Sequence, residues 1–306
     1  MKSSARLRLL AASTVCGTAA VLAAMAPSSV AATAEGKTLV VMGDSFSANG
    51  SILDLLPAGE DVGCKHVPTS WPTQLTGRMN LSPEDVEDTS CQGGTIDTSG
   101  WTLVHQVKRA MSDNAFGPRT RLVTIQLGMN DTWGADNPIA LSRALTCLTD
   151  LVNGCGPEAV EQGRAPDPAT ITGQAYAARV RQAVEYIRYY APNARILFVG
   201  YPELHPSGQD SACATIAGVD IWQSRAGAVT RFLDRLDTAQ RDAATLLNVG
   251  YLDSRAVTAG HGPCTPDAWV DGVFDPRTEP LGFPWHPSAR GDAALAAAVQ
   301  QSIPQG

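Results

Sequence analysis

Four residues of this chain have the types that acyl-transfer chemistry needs, and they are spread over nearly its whole length. Ser45 lies in VVMGDSFSANG (residues 40–50), Gly93 in SCQGGT (90–95), Asn130 in LGMND (127–131) and His286 in PWHPS (284–288). Serine is a weak nucleophile until a base takes its proton, and His286 is a base of the right kind. Attack on an ester carbonyl creates an oxyanion, which needs fixed hydrogen-bond donors. The backbone N–H groups of Ser45 and Gly93 and the side-chain amide of Asn130 are donors of that kind. Glycine suits a place where backbone must approach a ligand closely. Each residue alone has a plainer reading. Asp44 and Ser45 suit a helix start, Gly93 a tight turn, Asn130 a turn, Asp131 a helix cap, and His286 the approach to a helix. Gly94 beside Gly93 leaves the register open by one.

Elements that would gather these residues are legible. Apolar runs expected as strands lie at 38–42, 86–90, 121–128, 194–202 and 246–252. Several are apolar on both faces, as in a parallel sheet covered by helices. Helical stretches alternate with them at 70–79, 172–191, within 218–244, and at 287–302. In the third, Val229, Phe232, Leu233, Leu236 and Ala243 follow the spacing of one helix face. Alternation of strand and helix predicts an α/β fold with a doubly wound, mostly parallel sheet of five strands. Ligands of such sheets sit beyond the carboxyl ends of the strands. Ser45, Gly93 and Asn130 each follow an expected strand, and His286 precedes the last helix, so one crevice can collect all four. Trp133 and Trp285 are candidates to line it. Three long connections, 146–171, 203–220 and 253–285, would shape it.

The 306 residues begin with a segment that is not read as fold. Lys2, Arg6 and Arg8 precede an apolar stretch at 9–26, and small residues follow at 28–34. This pattern predicts a secretory signal peptide over residues 1–34, cleaved after Ala32 or Ala34. Its removal takes the formal charge from −7 to −10, because it carries three cations and no acid. So acidic a chain has no electrostatic case for nucleic acid or an anionic membrane. Six cysteines remain: Cys64, Cys91, Cys147, Cys155, Cys213 and Cys264. An even number in an exported protein predicts three disulfides. Pairing in chain order is favoured, because each bridge then closes a local loop outside the expected core strands. Zinc-ligand spacing is missing, and no metal or cofactor is required.

The chain resembles the SGNH (GDSL) hydrolase family. GDSFS (43–47), QGG around Gly93, GMND (128–131) and HPSARG (286–291) match that family's blocks in order. SWP (70–72) and GYP (200–202) further resemble secreted actinobacterial esterases and lipases with three disulfides. The resemblance implies a flavodoxin-like three-layer sandwich and serine-dependent hydrolysis of esters, with Ser45 as nucleophile and His286 as base. One departure stands out. The family usually has Asp three residues before the histidine, where this chain has Phe283. Some similar members use a main-chain carbonyl there. The expectation is a Ser45–His286 dyad with the carbonyl of Phe283, or that of Pro284, accepting from Nδ1–H. Asp275 and Glu279 are the fallback partners. The expected protein is a secreted, monomeric esterase or lipase acting on small-molecule or lipid esters, without a stable membrane anchor. The absence of a lid-like apolar helix points to soluble or short-chain esters. Acyltransferase or phospholipase activity would use the same atoms. A non-catalytic binding module on a degenerate hydrolase fold is the reading from another class.

Overall fold

The computed structural model describes residues 34–55, 64–134, 140–206 and 208–303. All but the last residue of the expected signal peptide lies outside them. The described strands are β1 (Leu39–Gly43), β2 (Val86–Asp88), β3 (Leu122–Gln126), β4 (Arg195–Val199), β5 (Ala212–Ile216), β6 (Val219–Gln223) and β7 (Gly250–Leu252). The described α-helices are α1 (Ser45–Ala48), α2 (Trp71–Arg78), α3 (Leu103–Ser112), α4 (Ala140–Thr149), α5 (Glu158–Glu161), α6 (Gly173–Tyr190), α7 (Gly227–Leu247), α8 (Ser254–Val257) and α9 (Ala289–Ser302).

Five strands form one parallel sheet in the order β2–β1–β3–β4–β7. The period of two along each strand explains the three layers. Val40 and Met42 of β1, Val123 and Ile125 of β3, and Ile196 and Phe198 of β4 share one core with α3, α6 and α7. Leu39, Val41, Leu122, Leu197 and Val199 point the other way, into a core with Trp71 and Leu75 of α2 and Leu295 and Val299 of α9. Burial of each such aliphatic side chain contributes about 1.5–3 kcal/mol, so both faces hold the sheet. The chain order reverses between β1 and β3. That is the switch point at which ligands of doubly wound sheets bind.

Four of the five expected strands are shorter than their apolar runs, β3 and β4 by trimming at both ends and β2 and the last by local turns. After β2, Asp88 Oδ1 accepts the N–H and the hydroxyl of Ser90, which turns the chain off the sheet. The run at 246–252 divides, because α7 continues to Leu247 and Asn248 ends it in the left-handed conformation with φ 51°. Only Gly250–Leu252 pairs as strand. Helices α3 and α4 were not among the expected elements, nor was the antiparallel hairpin of β5 and β6. The disulfides are Cys64–Cys91, Cys147–Cys155 and Cys213–Cys264, in the expected chain order. The second ties down the first long connection, and the third joins the other two.

Candidate active site

The turn after β1 is built before any chemistry is asked of it. The Gln106 side chain accepts from the Gly43 N–H at 2.8 Å and donates to the Gly43 carbonyl at 3.0 Å. Gly43 has no room for a side chain, since a Cβ would lie 2.3 Å from Ser47 Oγ. Asp44 is the N-cap of α1, and its Oδ1 accepts the Phe46 N–H at 2.9 Å. Ser45 is therefore the first residue of a short helix, with its N–H unused by any acceptor among the described residues. Asp44 thus caps a helix, as expected. Burial pushes its carboxyl up to about 7 against the Tyr201 hydroxyl and Phe46 N–H, with the Asp131 charge adding to the rise.

His286 faces this turn from the loop before α9. Its Nε2 lies 2.7 Å from Ser45 Oγ. Its Nδ1 lies 3.0 Å from the Pro284 carbonyl. A carbonyl can only accept, so Nδ1 carries the proton and Nε2 presents its lone pair to the serine. This corrects the first choice of partner. The Phe283 carbonyl does not serve the ring; it accepts the backbone N–H of His286 at 3.0 Å and closes the turn. The difference is one of backbone direction. Trp285 takes a left-handed conformation, φ 62°, between Pro284 and His286. Its N–H donates to the Asp271 carbonyl at 2.8 Å, and the His286 carbonyl accepts the Asp271 N–H at 2.8 Å. Neither fallback acid reaches the ring. Asp275 accepts from Arg277, and Glu279 Oε2 accepts the Ala289 N–H at the start of α9. Phe46 stacks on the imidazole, with centroids 4.2 Å apart.

Gly93 and Asn130 complete the constellation. Gly93 has φ 71°, a conformation glycine adopts without strain. The Gly94 N–H is taken by the Cys91 carbonyl at 2.9 Å, whereas that of Gly93 has no acceptor among the described residues. Of the two neighbours, Gly93 is thus the one whose N–H is open to a ligand among the described residues. Asn130 Nδ2 donates one hydrogen to the Gly94 carbonyl at 3.2 Å, which orients the amide and leaves its second hydrogen. Asp131 does not cap a helix. It accepts from the N–H groups of Ile96 and Asp97, the Thr98 hydroxyl and Arg179, and so binds the Gly93 loop to the turn after β3.

Ser45, Gly93, Asn130 and His286 all line one cavity of about 600 Å³. The rest of its wall is mostly apolar, from Leu145 and Leu148 of α4, Val229 and Leu233 of α7, Ala212 of the hairpin, and Val273 and Trp285 of the loops. Trp133 is not part of it; its indole donates to the Gly128 carbonyl at 2.9 Å and packs beneath Arg179. Among the described residues no cluster of His, Cys, Asp and Glu is arranged to hold a metal, and no helix is long and apolar enough to cross a membrane.

Burial pushes the His286 imidazole down to about 4, and the Pro284 carbonyl opposes only part of that. A lowered pKa leaves the ring neutral, and able to take a proton, at pH values where an ordinary histidine is charged. The acid limb of kcat/KM is therefore expected to have its midpoint well below 6.5, near 4. A pH profile of kcat/KM with a midpoint at or above 6.5 would contradict this.

Comparison with known proteins gives the family and the fold. The profile of the GDSL-like lipase/acylhydrolase family matches residues 41–294. Lipase 2 of Streptomyces coelicolor is 28% identical over 84% of this chain and 82% of its own length. An esterase of Streptomyces scabiei is 24% identical over 97% of this chain and 94% of its own. Among solved structures, an extracellular lipase of Streptomyces rimosus superposes with a TM-score of 0.60 at 21% identity, covering 88% of this chain and all of that one (100%). A phospholipase A1 of Streptomyces albidoflavus gives 0.59 at 19% identity, covering 89% and 100%. These two share the fold.

Proposed function

This chain belongs to the GDSL-like lipase/acylhydrolase family and is a carboxylic ester hydrolase, and from that premise we propose that Ser45 and His286 carry out the reaction on a hydrophobic acyl ester. The observation that carries the reading is the 2.7 Å contact between Ser45 Oγ and His286 Nε2 on the wall of an apolar cavity. His286 Nε2 takes the proton as Ser45 Oγ attacks the acyl carbon. Charge develops on the carbonyl oxygen, which the N–H groups of Ser45 and Gly93 and the amide of Asn130 receive. His286 then gives its proton to the leaving alcohol, and an acyl group remains on Ser45. Water, deprotonated by the same ring, attacks that acyl-enzyme and frees the acid. The Pro284 carbonyl keeps the ring in the useful tautomer throughout. It stabilises imidazolium less than a carboxylate would. A non-catalytic binding module has no need of a serine and a histidine held in this contact.

Cavity size favours esters with a longer acyl chain than the missing lid suggested. The acyl wall is assembled from α4, α7, the hairpin and loops rather than from one apolar helix, so no single stretch of sequence announces it. Each added methylene buried there is worth about 0.8 kcal/mol, roughly fourfold in kcat/KM. A series of aryl esters from acetyl upward is expected to show kcat/KM rising over several steps before it levels. A series that falls from acetyl onward would contradict the proposal. Export from the cell is part of the proposal and is supported by the three disulfides, which form and persist in oxidising compartments. Action as a monomer is likewise part of the proposal.

A further inference from the structure

Tyr201 stands at the carboxyl end of β4 and is almost fully buried. Its hydroxyl donates to Asp44 Oδ2 at 2.6 Å and accepts the Met129 N–H at 3.0 Å. Asp44 is the residue before Ser45, and Met129 the residue before Asn130. The Tyr201 ring meets Phe46 edge-on, with centroids 4.8 Å apart and planes at 82°. Phe46 in turn lies flat against His286. One side chain therefore touches the turn that presents the nucleophile, the turn that presents the amide donor, and the ring that supports the base. Its own backbone is held by the sheet, since the neighbouring Gly200 bonds to Leu252 on one side and to Gln126 on the other.

We propose that Tyr201 is a positioning residue for ester hydrolysis, fixing Ser45, Asn130 and His286 relative to one another through its hydroxyl and its ring. This rests on the catalytic roles given to those three residues above. The physical reason is that the three come from separate loops at the ends of β1 and β3 and before α9. Tertiary contacts must hold their spacing to a fraction of an ångström. The Asp44 carboxyl also needs the phenol, because a buried carboxyl without its partner seeks another one and drags its turn with it. Tyr201 touches no reacting atom in this scheme and does not line the cavity. Its loss should therefore slow the chemical step without weakening substrate binding.

Tyr201→Phe keeps the ring and removes the hydroxyl. After titration of active sites, kcat per site is expected to fall roughly 10- to 100-fold with KM changed by less than about threefold. The rate of Ser45 labelling by an aryl phosphonate, which needs the nucleophile and oxyanion donors but not the acyl cavity, is expected to fall in parallel. A merely structural role would lower the thermal midpoint and the number of titratable sites but leave kcat per site within about twofold of the original. That second outcome overturns the proposal. Should Tyr201→Phe fail to fold, Asp44→Asn reads the same bond from the carboxyl side. It is expected to lower kcat per site likewise, and an unchanged value overturns the proposal. If the unaltered protein takes no label on Ser45, the catalytic reading itself falls. If it labels normally and Tyr201→Phe matches it, only the role of Tyr201 falls.

Discussion

Ser45→Ala is expected to lower the turnover of an aryl ester by at least about 10⁴-fold, equivalent to roughly 5.5 kcal/mol of lost transition-state stabilisation. Without Oγ no acyl-enzyme can form, and only the oxyanion donors and the cavity remain. Those alone still favour the reaction over water by about 10³–10⁴ in serine hydrolases, so a small residual rate is compatible with the scheme. KM should change little, because alanine leaves the apolar wall intact. The fold should also survive. Ser45 Oγ bonds only to His286 among the described residues, and the turn is held by Asp44, Gln106 and the backbone of Gly43. Undiminished turnover in the purified variant would sink the proposed nucleophile.

His286→Ala is expected to cost nearly as much, about 10³- to 10⁶-fold in kcat, since nucleophile and base act as one unit. The combined Ser45→Ala, His286→Ala variant should then be no slower than the poorer single variant. Losses that multiply in the double variant would mean that the two residues act in separate steps, contrary to the contact between them. The pattern is sharper here than in a triad. Among the described residues no carboxylate stands behind the ring to take part of the effect; burial lowers its acid range, and the Pro284 carbonyl opposes part of that.

The sheet was legible because its central strands are apolar on both faces. In β1, Leu39 and Val41 serve one core while Val40 and Met42 serve the other, so the whole run reads as strand. The same signal misled at 246–252. Leu247 lies one turn beyond Ala243 on the buried face of α7, and an apolar pair at a helix end looks like the start of a strand. The β5–β6 hairpin was hidden for the opposite reason. Val219 and Trp222 are exposed, and so its second strand shows no clean alternation.

At the site, residue types sufficed to pick out Ser45, Gly93, Asn130 and His286, which the fold brings to one cavity, since each offers an atom that only certain side chains or a glycine backbone can supply. They did not suffice for the partner of His286. The missing acid was located by the side-chain position of Phe283, but a main-chain oxygen is aimed by backbone angles, and the turn through Trp285 aims that of Pro284. Tyr201 was passed over although GYP stood out as a stretch. A tyrosine at a strand end reads as packing until its hydroxyl is seen between Asp44 and Met129.

Mapping a covalent label tests the proposed nucleophile most directly. The purified protein is treated with an aryl phosphonate ester, digested, and its peptides are identified by mass. The expected result is one adduct, on Ser45, formed in step with loss of esterase activity and absent from Ser45→Ala. An adduct on another residue, or full loss of activity without modification of Ser45, would contradict it.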